Sequence, residues 1–229
     1  MGLHRLWKTY TIAASGVLPF GRDGALAECL VAGVDRLATM PDDLGFDQAA
    51  ALPVAAGTAL QAVVDEAHLG AGRRILITGT AGGGGHFAVQ IAKSMGAEVT
   101  AVCSTRNVEL VRALGADHVV DYTRDDYTGV DARYDVILDN VGNRSLAENW
   151  RVLEPDGRYV LIGGGGRAAG KWIGPMVKPL QALVTSPFVS QDMGMFLATL
   201  NRDDMQRLAE LMSSGTVTPV IDRRYALDE

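Results

Sequence analysis

Short apolar runs alternate with amphipathic stretches over residues 74–163, and this alternation constrains the fold more than any other feature. The runs predict buried strands, and the segments between them have helical spacing, with Gly96 and Gly115 ending two helices. Strands that alternate with helices in this way form a parallel sheet covered on both faces. The predicted strands are RILITG, EVTAVC, DHVVDY, YDVILDNV and GRYVLIGGGG. The sequence therefore predicts an α/β fold with a doubly wound parallel sheet, the dinucleotide-binding (Rossmann) architecture.

The two ends of the chain depart from this alternation. Residues 24–40 predict strands, and residues 41–67 predict a helix that Pro53 interrupts. Residues 201–215 predict a helix, with Asn201 or Asp203 as its cap and Gly215 at its end. The segment after it, TPVIDRRYAL, predicts a final strand.

Composition narrows the classes of partner. A formal charge of −6 without a long basic run argues against nucleic acid, and no apolar stretch is long enough to span a bilayer. Cys29 and Cys103 are far apart in the sequence, so they predict neither a disulfide framework nor a zinc site. We therefore expect a cytoplasmic protein with no nucleic-acid or membrane partner.

Four consecutive glycines, Gly82 to Gly85, stand between the first predicted strand and the helix after it. Backbone N–H groups at such a turn, together with the helix dipole, favour an anion such as a pyrophosphate, and a side chain would hold the phosphate away. A glycine-rich turn that only packs a helix against a strand is the alternative. Two registers of a G-x-G-x-x-G/A motif remain open, one with Thr80 in the first position and one formed by Gly83, Gly85 and Ala88.

A third register, T-G-x-x-x-G-x-G from Thr78, matches the signature of short-chain dehydrogenases. That family needs a catalytic Tyr-x-x-x-Lys, and no tyrosine of this chain has a lysine four residues later. The register therefore lacks the chemistry that would go with it.

The end of the second predicted strand indicates which cofactor is bound. NAD-binding proteins place an acidic residue there, but this strand ends in Cys103, Ser104, Thr105 and Arg106. Two hydroxyls and a guanidinium suit a 2′-phosphate, which arginine can hold with two parallel hydrogen bonds. We expect NADPH rather than NADH. The alternative is that Arg106 is a solvated residue at a helix start and that both cofactors bind alike.

Three stretches together resemble the medium-chain dehydrogenase/reductase family, in its zinc-independent quinone oxidoreductase-like branch. They are residues 24–63, residues 78–122 and YDVILDNVG, and the likeness runs from about Gly24 to Asp228. The resemblance implies a Rossmann domain, hydride transfer from NADPH to a quinone, an enone or a similar carbonyl compound, and a homodimer formed through the sheet edge.

The resemblance also implies roles for individual positions. Thr58 would face the nicotinamide, the glycine run would hold the pyrophosphate, and the end of the second strand with Tyr122 would surround the adenosine phosphate. The residues after the fourth strand would contact the ribose, and those ending the fifth would lie beside the nicotinamide. The expected cofactor-binding residues are Thr58, Gly82, Gly83, Gly84, Gly85, Ser104, Thr105, Arg106, Tyr122, Asn140, Val141, Gly142, Gly163 and Gly164.

Several positions bear on departures from the family pattern. Ala55 stands near the place where zinc-dependent members carry a cysteine ligand, and no histidines are spaced as ligands, so we expect no metal. Gly84 replaces the family's usual valine and should loosen the helix start. His86 replaces a small residue at a helix start, where the cationic form is disfavoured. We expect a surface residue, with donation to a phosphate as the alternative.

The resemblance implies three segments, and it leaves the catalytic residues unknown. Residues 1–45 would be a remnant of a β-rich, GroES-like substrate domain, residues 46–215 the NADPH-binding Rossmann domain, and residues 216–229 a strand returning toward the substrate domain. The substrate half is shorter than the family pattern. An NADPH-dependent reductase is therefore expected, with an NADPH-binding module without turnover, or a zinc-type alcohol dehydrogenase homologue, as alternatives.

Overall fold

The computed structural model describes residues 10–12, 37–129, 131–162, 191–195, 198–199 and 201–225. The chain divides into two compact units. The first comprises Met1–Thr58 and Thr199–Glu229, and the second comprises Ala59–Ala198.

In the described residues of the second unit, one sheet of six parallel strands forms in the order β5-β4-β3-β6-β7-β8. Its central strands are apolar runs whose side chains are buried on both faces, as a covered parallel sheet requires. The strands are β3 (Arg74–Thr78), β4 (Glu98–Cys103), β5 (His118–Asp121), β6 (Tyr134–Asp139), β7 (Leu153–Leu161) and β8 (Asp192–Met195).

Helices connect the strands of this sheet. The longest, α3 (Gly83–Ser94), buries most of its residues and ends before Gly96, whose φ of +78° suits glycine. A 3₁₀ turn (Thr105–Asn107) and α4 (Val108–Ala113) follow β4, a second 3₁₀ turn is Tyr127–Gly129, and α5 (Leu146–Arg151) precedes β7.

The five strands predicted in this region are all present, so the α/β prediction of a doubly wound parallel sheet is confirmed. The structure adds α5 and β8, which we did not predict. Helix α5 is only six residues long, although Ser145 and Glu148 form a capping box at its start. Strand β8 has the sequence DMGM, which contains no β-branched or aromatic residue to mark it.

The first unit contains short antiparallel strands and helices. Strand β1 (Tyr10–Ile12) pairs with β2 (Leu37–Thr39), and β2 is the described part of the strands predicted over residues 24–40. Helix α6 (Arg202–Ser213) begins at the cap predicted for it, because the Asn201 side chain accepts from the Asp204 N–H at 2.9 Å. Gly215 follows its end with a φ of +72°.

Two predictions for the ends of the chain are wrong. Pro53 does not interrupt its helix: α1 (Phe46–Ala51), a π-helical segment (Leu52–Ala56), α2 (Gly57–Gln61) and a second π-helical segment (Ala62–Glu66) follow without a break. Proline is tolerated because the helix changes from α to π at Leu52, so the missing N–H of Pro53 falls where the hydrogen-bond pattern changes.

The strand predicted over residues 216–229 is also absent from its described part, residues 216–225. A strand is stabilised by pairing with a neighbour, and no described strand pairs with this segment. Pro219 also lacks the N–H that a ladder would use.

Candidate functional site

The order of the strands locates a crevice in the second unit. The chain runs from β3 outward to β4 and β5, then returns to place β6 on the other side of β3. In open parallel sheets, ligands bind at the carboxyl ends of the strands where the order reverses in this way. The turns after β3 and β6 therefore frame the candidate site.

The turn after β3 leads directly into α3. Gly79 has a φ of +63°, and Gly82 is the extended N-cap residue, whose N–H donates to the Gly79 carbonyl at 3.0 Å. Gly82 and Gly83 are exposed to solvent. The first amides of a helix have no partner within the helix, and their dipoles point toward the N-terminus. The exposed glycines therefore leave this end of a twelve-residue helix open to an anion.

The structure shows which glycines of this turn are sterically required. A Cβ on Gly85 would overlap the Gly79 carbonyl oxygen and lie 2.7 Å from the Thr80 Cα, so Gly85 allows α3 to pack tightly on the turn. A Cβ on Gly79 would lie 2.9 Å from Cγ2 of Val141. A Cβ on Gly82 would lie 3.2 Å from the Gly79 carbonyl oxygen. The constrained glycines therefore have the spacing 79, 82 and 85, which shares Gly82 and Gly85 with the register that begins at Thr80 but has Gly79 in the first position.

Thr80 does not take the place of a turn glycine. Its side chain is buried, and both its N–H and its hydroxyl donate to the Val102 carbonyl, at 3.3 Å and 3.0 Å. The residue fixes the turn to the neighbouring strand β4.

The prediction that His86 lies on the surface is wrong. The side chain is buried and packs against the Phe87 ring, with 4.0 Å between ring centroids. Its Nδ1 donates to the Gly82 carbonyl at 3.0 Å, since a carbonyl can only accept. Burial lowers the pKa of His86, so the imidazole is neutral at neutral pH. This local hydrogen bond gives the ring N–H a partner inside the protein, so an imidazole at a helix start can be buried.

The residues expected around the adenosine phosphate follow β4 and β5, which are neighbours in the sheet with Cys103 opposite Asp121. Thr105 and Arg106 are exposed, Ser104 is half-buried, and Tyr122 is 60% exposed. The structure brings Thr105 to the turn after β5, where its hydroxyl lies 2.9 Å from that of Thr123.

Sequence analysis missed Asp121, the last residue of β5. Its carboxylate accepts from the hydroxyls of Thr105 at 2.6 Å and Thr123 at 2.7 Å, and lies 3.6 Å from Nε of Arg124. The bond from Thr105 is the main reason why the pKa of Asp121 is lowered, so the group is ionised at neutral pH. A negative charge and the Arg124 guanidinium thus lie in the region expected to receive a phosphate. Aligning the ends of the predicted strands could have revealed both.

The turn after β6 is fixed to β3. Asn140 donates from its N–H to the Thr78 hydroxyl at 3.0 Å and from Nδ2 to the Thr78 carbonyl at 2.9 Å. Val141 is 39% exposed, and Gly142 has a φ of +71°. The three residues predicted to contact the ribose therefore lie beside the glycine turn.

The remaining predicted residues are distributed as follows. Gly84 is half-buried in the first turn of α3, and Thr58 is half-buried on α2 in the first unit. Gly163 and Gly164 lie outside the described residues. Cofactor contact stays a prediction for all of the predicted positions.

The described residues also bear on a metal site and on a membrane span. In this part of the chain, no three His, Cys, Asp or Glu side chains are grouped so that they could hold a metal ion. Among the described helices, none has the length and apolar character that crossing a membrane requires.

Comparison with known proteins provides independent information. A family model described as zinc-binding dehydrogenase matches residues 114–229. The chain is 33% identical over 211 residues to the chloroplast envelope quinone oxidoreductase homolog of Arabidopsis thaliana, covering 90% of this chain and 63% of the relative. It is also 33% identical over 201 residues to the NADPH-dependent alkenal/one oxidoreductase, chloroplastic, of the same plant, covering 87% of this chain and 45% of that protein.

A solved structure agrees with these relatives. The quinone oxidoreductase from Coxiella burnetii superposes with a TM-score of 0.73 at 28% identity, covering 85% of this chain and 57% of that one. The chain thus spans 63%, 45% and 57% of the lengths of these three proteins.

Proposed function

Because the chain belongs to the zinc-binding dehydrogenase family, within the quinone oxidoreductase-like medium-chain dehydrogenases/reductases, we propose that it binds NADPH and reduces a quinone or an α,β-unsaturated carbonyl compound. The observation that carries the proposal is the exposed glycine turn, which opens the N-terminus of α3 at the point where the strand order reverses. The printed names of the relatives, a quinone oxidoreductase and an alkenal/one oxidoreductase, supply the class of acceptor.

The residues of this chain bind and orient the reactants. The amides at Gly83–Gly85 would hold the pyrophosphate, since the Gly82 N–H is bonded to the Gly79 carbonyl, and the turn Asn140–Gly142 would hold a ribose. Bound NADPH supplies a hydride from its nicotinamide ring. The acceptor is activated by its own conjugation and by hydrogen-bond donors, and we assign no residue as a general acid.

The preference for NADPH rests on exposed guanidinium groups beside the ends of β4 and β5. Arg106 follows β4, and Arg124 lies 3.6 Å from the Asp121 carboxylate, partly offsetting its charge. Titration of the protein with NADPH and NADH tests this preference. We expect Arg106→Ala to weaken NADPH binding by roughly tenfold while NADH binding stays unchanged.

Arg112→Ala is the matched control, because Arg112 lies on the following helix α4, exposed and paired with Glu109 at 2.8 Å. It removes the same charge from a neighbouring position and should leave both dissociation constants unchanged. Equal Kd values of the unmodified protein for NADPH and NADH would refute the preference.

A binding module without turnover is the second candidate, because we assign no residue of the described chain as a general acid. Consumption of NADPH in the presence of a naphthoquinone separates the two. Quinone-dependent oxidation supports the reductase, whereas cofactor binding without oxidation supports the module.

A zinc-type alcohol dehydrogenase homologue remains the third candidate because of the description of the family itself. We propose that this chain holds no zinc, since Ala55 stands near the place expected for a cysteine ligand. Metal analysis of the purified protein tests this, and one zinc per chain would favour the alcohol dehydrogenase.

We also propose that two copies associate through the sheet edge and that the protein works in the cytoplasm. Strand β8 ends the strand order among the described residues, and an edge strand can pair with a second copy. Light scattering measures the oligomeric state, and fractionation of cells measures the location.

A further inference from the structure

A fully buried carboxylate lies behind the turn proposed to bind the ribose. Asp139 is the last residue of β6, and none of its surface is exposed. Its Oδ1 accepts from the Thr78 hydroxyl at 2.7 Å, the Gly142 N–H at 2.8 Å and the Val141 N–H at 3.1 Å. Its Oδ2 accepts from the Tyr159 hydroxyl at 2.6 Å. Burial of a carboxylate is unfavourable unless hydrogen bonds replace the lost water, and these donors do so.

The donors come from three adjacent strands. Thr78 ends β3, Tyr159 belongs to β7, and the two amides belong to the turn after β6 itself. Burial, followed by the charge of Asp139, raises the pKa of Tyr159, so the phenol keeps its proton and can donate it. One side chain thus ties the carboxyl ends of β3, β6 and β7 together.

Thr78 connects the Asp139 carboxylate to the side of the turn that is proposed to face the ligand. Its hydroxyl hydrogen is committed to Asp139, so its oxygen can accept from the Asn140 N–H, which lies 3.0 Å away. Val141 is then held against Gly79, where no Cβ could fit. The chain of contacts therefore runs from the buried carboxylate to both turns of the candidate site.

We propose that Asp139, itself held by Tyr159, is a positioning residue for the cofactor, which acts through the Val141 and Gly142 amides and through Thr78 to hold the turn Asn140–Gly142 in its binding geometry. This inference rests on the proposed function. The carboxylate does not touch the cofactor, and its effect is to fix the backbone of the turn before binding occurs, so that less ordering is needed on binding.

Two tyrosine variants test the inference. Tyr159→Phe removes the hydroxyl that donates to Asp139, and Tyr127→Phe removes a buried hydroxyl that donates instead to Oδ1 of Asn149 at 3.0 Å. Both tyrosines are buried in the same apolar cluster, so each variant loses one buried hydroxyl and no ring. Thermal unfolding of both variants measures the general cost of the deletion.

We expect Tyr159→Phe to raise the Kd for NADPH by roughly five- to tenfold, the effect of losing one hydrogen bond to a charged group. Tyr127→Phe should change this Kd less than about twofold, although it should lower Tm by about as much as Tyr159→Phe does. Equal changes of Kd in the two variants would mean that the loss of stability alone weakens binding, and would overturn the inference. An unchanged Kd in Tyr159→Phe would also overturn it.

Hydrogen exchange at the Val141 and Gly142 amides distinguishes this inference from the proposed function. Both amides donate to Asp139, so their exchange should be faster in Tyr159→Phe than in Tyr127→Phe, with or without cofactor. If the unmodified protein binds neither NADPH nor NADH, the proposed function fails. Exchange then still decides whether the carboxylate holds the turn, and equal exchange in both variants would refute this.

Discussion

Asp121 and Asp139 each end a parallel strand at the same edge of one sheet, but their surroundings differ. Asp121 ends β5 beside exposed threonines and an arginine, whereas Asp139 ends β6 in the interior. The half-buried carboxylate of Asp121 bonds to exposed side chains that can turn toward a ligand. The buried one bonds to backbone and to side chains that cannot move away.

The difference shows how one residue type at equivalent strand ends can have two roles. A buried charge is stabilised only by fixed donors, so Asp139 organises the backbone around it. The half-buried charge of Asp121 lies among exposed partners where water and salt screen it in part, so Asp121 acts on the electrostatics of whatever binds nearby. Substitutions at these residues and around them test this contrast, with expected effects of decreasing size.

The largest effect is expected from removing the two carboxylates in turn. Asp139→Asn should lower the free energy of unfolding by roughly 3 kcal/mol, because an amide NH₂ would face buried donors. Asp121→Asn should lower the free energy of unfolding clearly less, because the threonines that donate to Asp121 are exposed and can bond to water instead. Denaturant unfolding measures both, and similar losses would remove the distinction drawn here.

Gly85→Ala should have the next largest effect. The added Cβ would overlap the backbone of the glycine turn, so α3 must shift, at a cost of about 1–3 kcal/mol in the free energy of unfolding. Gly70→Ala is the control, since a Cβ there would meet no atom within 4 Å. If both variants are equally stable, close packing of the turn is not what holds its geometry.

Asp121→Asn should change the choice of cofactor. Loss of the negative charge should tighten NADPH binding by roughly two- to fivefold, with a smaller change for NADH and a weaker effect at high salt. Asp131→Asn, at an exposed position of the second unit, makes the same change of net charge as a control. A uniform change for both cofactors would contradict a role in selecting the phosphate.

The smallest effect concerns pH and the buried imidazole beside the site. The pKa of His86 is lower in the folded state, so the unfolded state binds more protons and stability rises with pH in this range. The stability that the neutral imidazole contributes is fully present above the unfolded-state pKa of about 6.5. It is lost as the pH falls through the folded-state pKa. The denaturant concentration at the unfolding midpoint should therefore decrease as the pH is lowered from about 7 to about 5.5.

His86→Gln should remove part of this dependence, whereas His118→Gln, at an exposed position paired with Glu98, should keep it. An identical pH dependence in both variants would mean that other groups cause the loss of stability.

The sheet and α3 could be predicted because their signal is local. Apolar runs such as EVTAVC mark buried strands, and Gly96 and Gly215 mark helix ends through backbone conformation alone. Helix α5 and strand β8 are too short or too plain in composition to give such a signal. The tail after Gly215 has the composition of a strand, but none of the described strands pairs with it, which no local pattern could have shown.

The sequence predicted the site only where the site is built from residues that are close together along the chain. The position of the glycine turn between strand and helix followed directly, but the role of Gly85 depends on an overlap with Gly79 that only the fold displays. Asp121 and Asp139 depend on register: the first lies opposite Cys103 and the second opposite Leu161. The burial of His86 depends on one hydrogen bond to a carbonyl four residues earlier.

That hydrogen bond has a practical consequence. With the Nδ1 proton committed to the Gly82 carbonyl, the ring of His86 is held in a single tautomer next to the glycine run. Its nitrogen chemical shifts form a built-in spectroscopic reporter, which any anion settling on the turn would perturb without an added label.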